Sequence, residues 1–184
     1  MTSRDLLKAI DRFLFCPYSP FPLSLFRILL GLLILDTLLL HLLDDFFLYY
    51  GPNAILPPES LAKYWWRFDA VLDILVLLPQ TADAAIVFFV LFGVIAACVT
   101  IGFLTAYTVP IAFFMLLSID RQFPFNINGG DAMMLLSLFL LSFARSGDAL
   151  SVDNLIKSLR QDWRQTGFAP KPSAAWPLRM LQMQ

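Results

Sequence analysis

The sequence predicts an all-α, polytopic membrane helix bundle, and three observations carry that prediction. Of its 184 residues, 59% are hydrophobic and only 15% charged, against roughly 25% charge in a typical soluble domain. Mean hydropathy is +0.72. From Ala84 to Ile119 the chain runs thirty-six residues without a charge, too long for one crossing, since about 20 helical residues span the hydrocarbon. The expected elements are four crossings, at 23–43, 84–103, 107–119 and 131–144, with interfacial amphipathic helices at 4–15 and 151–164.

In chain order, Leu6, Leu7, Ile10, Phe13 and Leu14 recur at helical spacing with charges opposite, which predicts a short helix lying in the membrane interface. This is not the basic end and unbroken apolar core of a signal peptide, so the N-terminus is expected to be retained. Cys16-Pro17-Tyr18-Ser19-Pro20 breaks the helix. The first crossing carries Arg27, Asp36 and His41. Residues 44–81 form a loop rich in aromatic rings, which favour the membrane–water boundary. Within it, 71–78 is apolar but too short to cross, and reads as interfacial or packed inside the bundle. Thr105 and Pro110 lie near the junction of the second and third crossings, proline being tolerated in a first helical turn. The third and fourth crossings are short, so tilt, bilayer thinning or helix extension must compensate. Between them lies the dense polar stretch Asp120–Asp131. After Arg145, Val152, Leu155, Ile156, Leu159 and Trp163 line one helical face, with Ser151 as N-cap. Residues 167–184 hold a proline-bearing linker and the start of a further helix.

Lysine and arginine number three before the first crossing and six after Ala144, against two in 44–81 and one in 120–130. The positive-inside rule then places both termini in the cytoplasm and the Asp120–Asp131 stretch on the opposite face, in a bacterial inner membrane. No basic cluster points to nucleic acid, and Cys16 and Cys98 have neither metal-ligand spacing nor the placement of a disulfide. Phosphate-loop, nucleophile-elbow, zinc and haem-attachment motifs are absent from the sequence.

Several pieces, in order, resemble the vitamin K-dependent γ-glutamyl carboxylases and their bacterial relatives, which share the HTTM (horizontally transferred transmembrane) domain. They are Leu25-Phe26-Arg27-Ile28-Leu29-Leu30-Gly31, Tyr49-Tyr50-Gly51 through Leu56-Pro57, Asn128-Gly129-Gly130-Asp131, Leu150-Ser151-Val152-Asp153 and Trp176-Pro177-Leu178-Arg179. The resemblance implies one HTTM-like domain over 1–184 and a quinone-type cofactor such as reduced vitamin K. Two departures qualify it. The position of the family's histidine reads Gly130, followed by Asp131. The crossing that carries the family's catalytic lysine would begin beyond the segment like Trp176–Gln184, and Lys8, Lys63, Lys157 and Lys171 match none of the catalytic positions. The resemblance therefore implies either a piece of a longer domain or a shortened relative used for binding or assembly, and no glutamate carboxylation by this chain alone.

The candidate catalytic residues are Asp131, Asn128 and Asn126, where a carboxylate opens an apolar helix beside two amides. Capping of the helix start is the simpler role, and holding a proton or polar substrate the sharper one. Gly129 and Gly130 form a turn or let backbone approach a ligand. Asp120 and Arg121 pair locally or bind substrate. Arg27 snorkels to headgroups. Asp36 lies near mid-membrane, nine residues from Arg27 and on the opposite side of the helix, so it needs a hydrogen-bond partner on another helix, a proton or a water-filled cavity. His41, the one histidine, is an interfacial residue or exchanges protons near neutrality.

Three function classes follow: an HTTM-type membrane protein without carboxylase activity, a quinone- or lipid-linked redox subunit, and a small transporter or partner-binding subunit. The expected partners are the lipid bilayer and either a second protein or further C-terminal helices.

Overall fold

The computed structural model describes residues 12–13, 15, 17–42, 74–79, 81–122, 129–144, 146–160 and 173–183. They are overwhelmingly helical. The first helices in chain order are α1 (Phe21–Asp36), α2 (Ile74–Leu77, a single turn), α3 (Ala82–Ile101), α4 (Thr105–Gln122) and α5 (Gly129–Ser142), of which all but α2 are long. Two smaller helices follow, α6 (Val152–Arg160) and α7 (Trp176–Met183). A two-residue antiparallel pairing joins β1 (Pro17–Tyr18) to β2 (Ser173–Ala174).

Two stretches are long and apolar enough to cross a membrane: Phe21–Leu39, with mean hydropathy 1.9, and Asp83–Ile101, with 2.8. α3 is apolar on every side. Phe88, Phe92, Ala96 and Val99 face inward, while Val87, Val90, Leu91 and Val94 are exposed, the pattern of a helix whose outer face meets no water. Its 20 residues extend about 30 Å, matching the hydrocarbon thickness. Thr81 caps its start, accepting from Ala84 N at 3.3 Å.

α1 packs on α3, α3 on α4, α4 on α5, and α5 returns to α1, closing a four-helix ring. The inner stripe of α1 runs Leu23, Arg27, Leu30 and Ile34 and continues to Leu38 beyond its end, at steps of four, three, four and four residues. Gly31 lets α3 approach closely, because a Cβ there would stand 3.0 Å from the Thr100 backbone. The core is completed by Val109, Ala112 and Met115 of α4 and by Met134, Leu138 and Leu141 of α5. Buried apolar surface of this kind contributes about 25 cal/mol per Å² where it is removed from water.

Element boundaries differ from the sequence expectation in instructive ways. α1 begins at Phe21 and passes at Thr37 into a π-helical segment ending at Leu42. α4 begins at Thr105 rather than 107 and continues to Gln122, so its 18 residues reach about 27 Å. That earlier start moves Pro110 out of the first turn and into the helix, where its missing N–H leaves the ladder one bond short. α5 keeps its predicted shortness at 14 residues, about 21 Å. Of the segment 71–78, the described part, 74–78, packs against the bundle on one side: Leu75 is buried and Ile74 N donates to Ser118 Oγ at 3.0 Å, while Leu77 is exposed. The predicted helix at 4–15 and the aromatic loop fall almost entirely outside the described residues.

Candidate functional site

The four-helix ring has two polar ends. One gathers the start of α1, the α3–α4 turn and the segment after α5. The other gathers the end of α4 and the start of α5.

At the first end, Arg27 is wholly buried, 0% exposed. Its Nη1 donates to Ser146 O at 2.5 Å and its Nη2 to Leu150 O at 2.7 Å. Ser24, one residue along from the same stripe, has its Oγ 2.9 Å from Ser146 O and 3.0 Å from Pro20 O. The snorkelling expectation is thereby corrected. Arg27 occupies a core position of α1, and the chain after α5 folds back to supply the carbonyls that a lipid headgroup would otherwise have replaced.

Asp153, the first-turn acid of α6, reaches across to the start of α4. Its Oδ1 accepts from Leu104 N at 2.7 Å, and its Oδ2 accepts from Thr105 N at 2.9 Å and from Thr105 Oγ1 at 3.0 Å. A carboxylate thus caps α4 from 48 residues further along the chain, satisfying N–H groups that have no partner within the helix. Asp153 N donates in return to Gly102 O at 3.1 Å. The same carboxylate supplies the opposite charge felt by Arg27. Ser151 is the predicted N-cap, accepting from Asn154 N at 3.0 Å and donating to Gly147 O.

The backbone of this end is shaped to fit. Gly102 closes α3 at φ 75°, and a Cβ there would lie 2.7 Å from Arg27 Nη2, so conformation and space both require glycine. Leu104 and Leu150 have φ of 49° and 45°, the left-handed region that costs about 1–2 kcal/mol per non-glycine residue. Both are held there by the polar contacts, Leu104 through its N–H to Asp153 and Leu150 through its carbonyl to Arg27. Among the described residues, Arg27 Nε and Ser146 Oγ are buried without a hydrogen-bond partner. α7 closes this end from the side: Pro177 and Leu178 are buried, Trp176 lies 6.4 Å from the Phe143 ring, and Arg179 sits 4.7 Å over the ring of Phe13.

At the second end, Asp131 stands in the first turn of α5 and Asp120 in the last turn of α4, beyond the apolar stretch 107–119. The structure brings these two predicted site residues together. The two carboxylates are close enough for each charge to act on the other. Arg121 is half-buried beside them.

Other predicted site residues fare differently. Gly129 and Gly130 begin the helix rather than forming a turn, and a Cβ on Gly129 would meet nothing within 4 Å. Asp36 is exposed on the outside of α1, the side opposite its core stripe, rather than directed at another helix. His41 lies in the π-helical segment, with its side chain outside the described residues, as are Asn126 and Asn128 entirely. Cys98 is a free thiol. Among the described residues, no cluster of three histidine, cysteine or acidic side chains is placed to hold a metal.

Comparison with protein-family models, curated proteins and solved structures finds no match for this chain. The functional reading therefore rests on the residues themselves.

Sequence reasoning passed over the Arg27–Ser146–Asp153 end. A signal was available: Arg27 falls on the Leu23–Leu30–Ile34 stripe, where a lipid-facing arginine would have no place. Asp153 gave no comparable sign, because an acid in the first turn of a helix ordinarily serves that helix.

Proposed function

We propose that the chain is a four-crossing integral membrane protein of the HTTM type, with α1, α3, α4 and α5 as the crossings and both termini on the cytoplasmic side. One observation carries this reading. Two segments named for the resemblance, around Arg27 and at Leu150–Asp153, meet in a single hydrogen-bonded cluster though more than a hundred residues separate them. A third, Trp176–Arg179, packs onto the same end. Separate motifs that converge in space have a shared reason to occur together. The four crossings are supported by the ring itself: each successive helix runs opposite to the one before, and all four begin or end at the Arg27 cluster.

The resemblance to bacterial HTTM proteins suggests a bacterial inner membrane as the compartment, and the bilayer is the first partner. A protein partner or further helices would cover the remaining apolar surface. Carboxylation is not expected of these residues. Lys157, the lysine among the described residues, is exposed and paired with Asp148 at 3.7 Å, away from the apolar interior. Purified protein supplied with reduced vitamin K, bicarbonate and a glutamyl peptide should yield no carboxylated product. Turnover would contradict this part of the proposal.

A second reading is favoured by the Asp120–Asp131 pair, a proton-holding site suited to a quinone or other redox ligand at the non-cytoplasmic end. Here Asp131→Asn abolishes quinol turnover while leaving the folded protein intact. Unchanged turnover in that variant would remove the pair from the mechanism.

A further inference from the structure

α6 is amphipathic, but its apolar face is only half covered. At about 100° per residue, Leu155, Leu159, Val152 and Ile156 fall in one continuous arc. Val152 and Ile156 are half-buried along the bundle, whereas Leu155 is 49% and Leu159 73% exposed. Lys157 lies on the opposite side, exposed and bonded to Asp148. The uncovered leucines are not isolated. Ile101, Phe103 and Leu104 of the α3–α4 turn and Leu150 are also exposed at this end, continuing the apolar outer surface of α3. Asp153 fixes α6 at the level of that turn through its bonds to Leu104 and Thr105.

We propose that α6 is a depth anchor: Leu155 and Leu159 seat in the phospholipid interface at the Arg27 end, and Asp153 ties that level to the first turn of α4. The inference rests on the membrane reading above and adds its partner, the acyl–headgroup boundary of one leaflet. An apolar half-face continuous with a lipid-facing belt, backed by a charged face, matches a helix lying in that boundary. The anchor also has a consequence for the opposite end. With Thr105 at the interface, the 15 residues to Ile119 rise about 22 Å, short of about 30 Å of hydrocarbon. Asp120 and Asp131 are then held below the far boundary, or the bilayer thins around them.

The test uses the full chain with Cys16→Ser and Cys98→Ser, reconstituted in vesicles of phosphatidylcholine and phosphatidylglycerol. A nitroxide is attached at Leu159→Cys, at Lys157→Cys or, as a lipid-facing reference on α3, at Val90→Cys. Leu155→Cys replaces Leu159→Cys if the latter fails to fold. Collision with oxygen, which partitions into lipid, is compared with collision with a water-soluble nickel chelate. The anchor predicts oxygen-dominated collision at 159 and 90, and nickel-dominated collision at 157. Nickel-dominated collision at 159 with oxygen still dominant at 90 would overturn the anchor and leave the crossings standing. Nickel dominance at both would overturn the membrane reading and the anchor with it. Shielding of 159 from both reagents would mean that protein covers the face, and would also overturn the proposal.

Discussion

The two polar ends of the bundle handle charge in opposite ways. At the Arg27 end, cation and anion are held apart but each is met by backbone: carbonyls of Ser146 and Leu150 for Arg27, amides of Leu104 and Thr105 for Asp153. At the Asp120 end, two carboxylates lie near each other, one in the last turn of α4 and one in the first turn of α5. The first arrangement stabilises charge and ties three chain segments together. The second sets two like charges beside each other where α4 ends and α5 begins.

The largest effect that would break this contrast is at Arg27. Arg27→Ala removes two hydrogen bonds, leaving Leu150 O without its Arg27 donor and Ser146 O with Ser24 Oγ alone, and leaves Asp153 without its opposing charge. A loss of about 3–5 kcal/mol is expected, as when one partner of a buried charged set is removed. Arg27→Lys should recover part of it, since one ammonium cannot reproduce the two-armed guanidinium. Thermal unfolding in detergent checks both, and a loss below about 1 kcal/mol for Arg27→Ala would mean the cluster is not structural.

A smaller effect is expected at Asp153. Asp153→Asn keeps one acceptor oxygen but turns an amide N–H toward donors at Thr105, costing about 1–3 kcal/mol. Because Asp153 and Arg27 act on each other, the double variant should lose less than the sum of the two single losses. Strict additivity would show two independent contacts rather than one cluster.

The same contrast explains what the sequence could reveal. Apolar length placed all four long helices, because a run such as Ala84–Ile119 admits few other arrangements. Asp120 and Asp131 drew attention in the sequence because charge at the edge of an apolar run is costly, and local sequence shows it. The Arg27 cluster was not legible. Its partners are main-chain carbonyls and amides, which carry no residue signature, and they come from segments separated by 119 and 48 residues. Leu104 and Leu150 concealed it further, since leucine gives no warning of a left-handed backbone.

At the centre of the Arg27 cluster, the segment after α5 folds onto the α3–α4 turn. A Cβ on Gly147 would stand 3.3 Å from Thr105 Cβ, near the Cβ spacing of about 3.5–4.5 Å in disulfides. Thr105→Cys with Gly147→Cys, in a chain lacking Cys16 and Cys98, should crosslink on mild oxidation in native membranes, and mass spectrometry should recover a peptide joining positions 105 and 147. Failure to crosslink in folded protein, with both thiols still free after oxidation, would contradict the cluster at its centre.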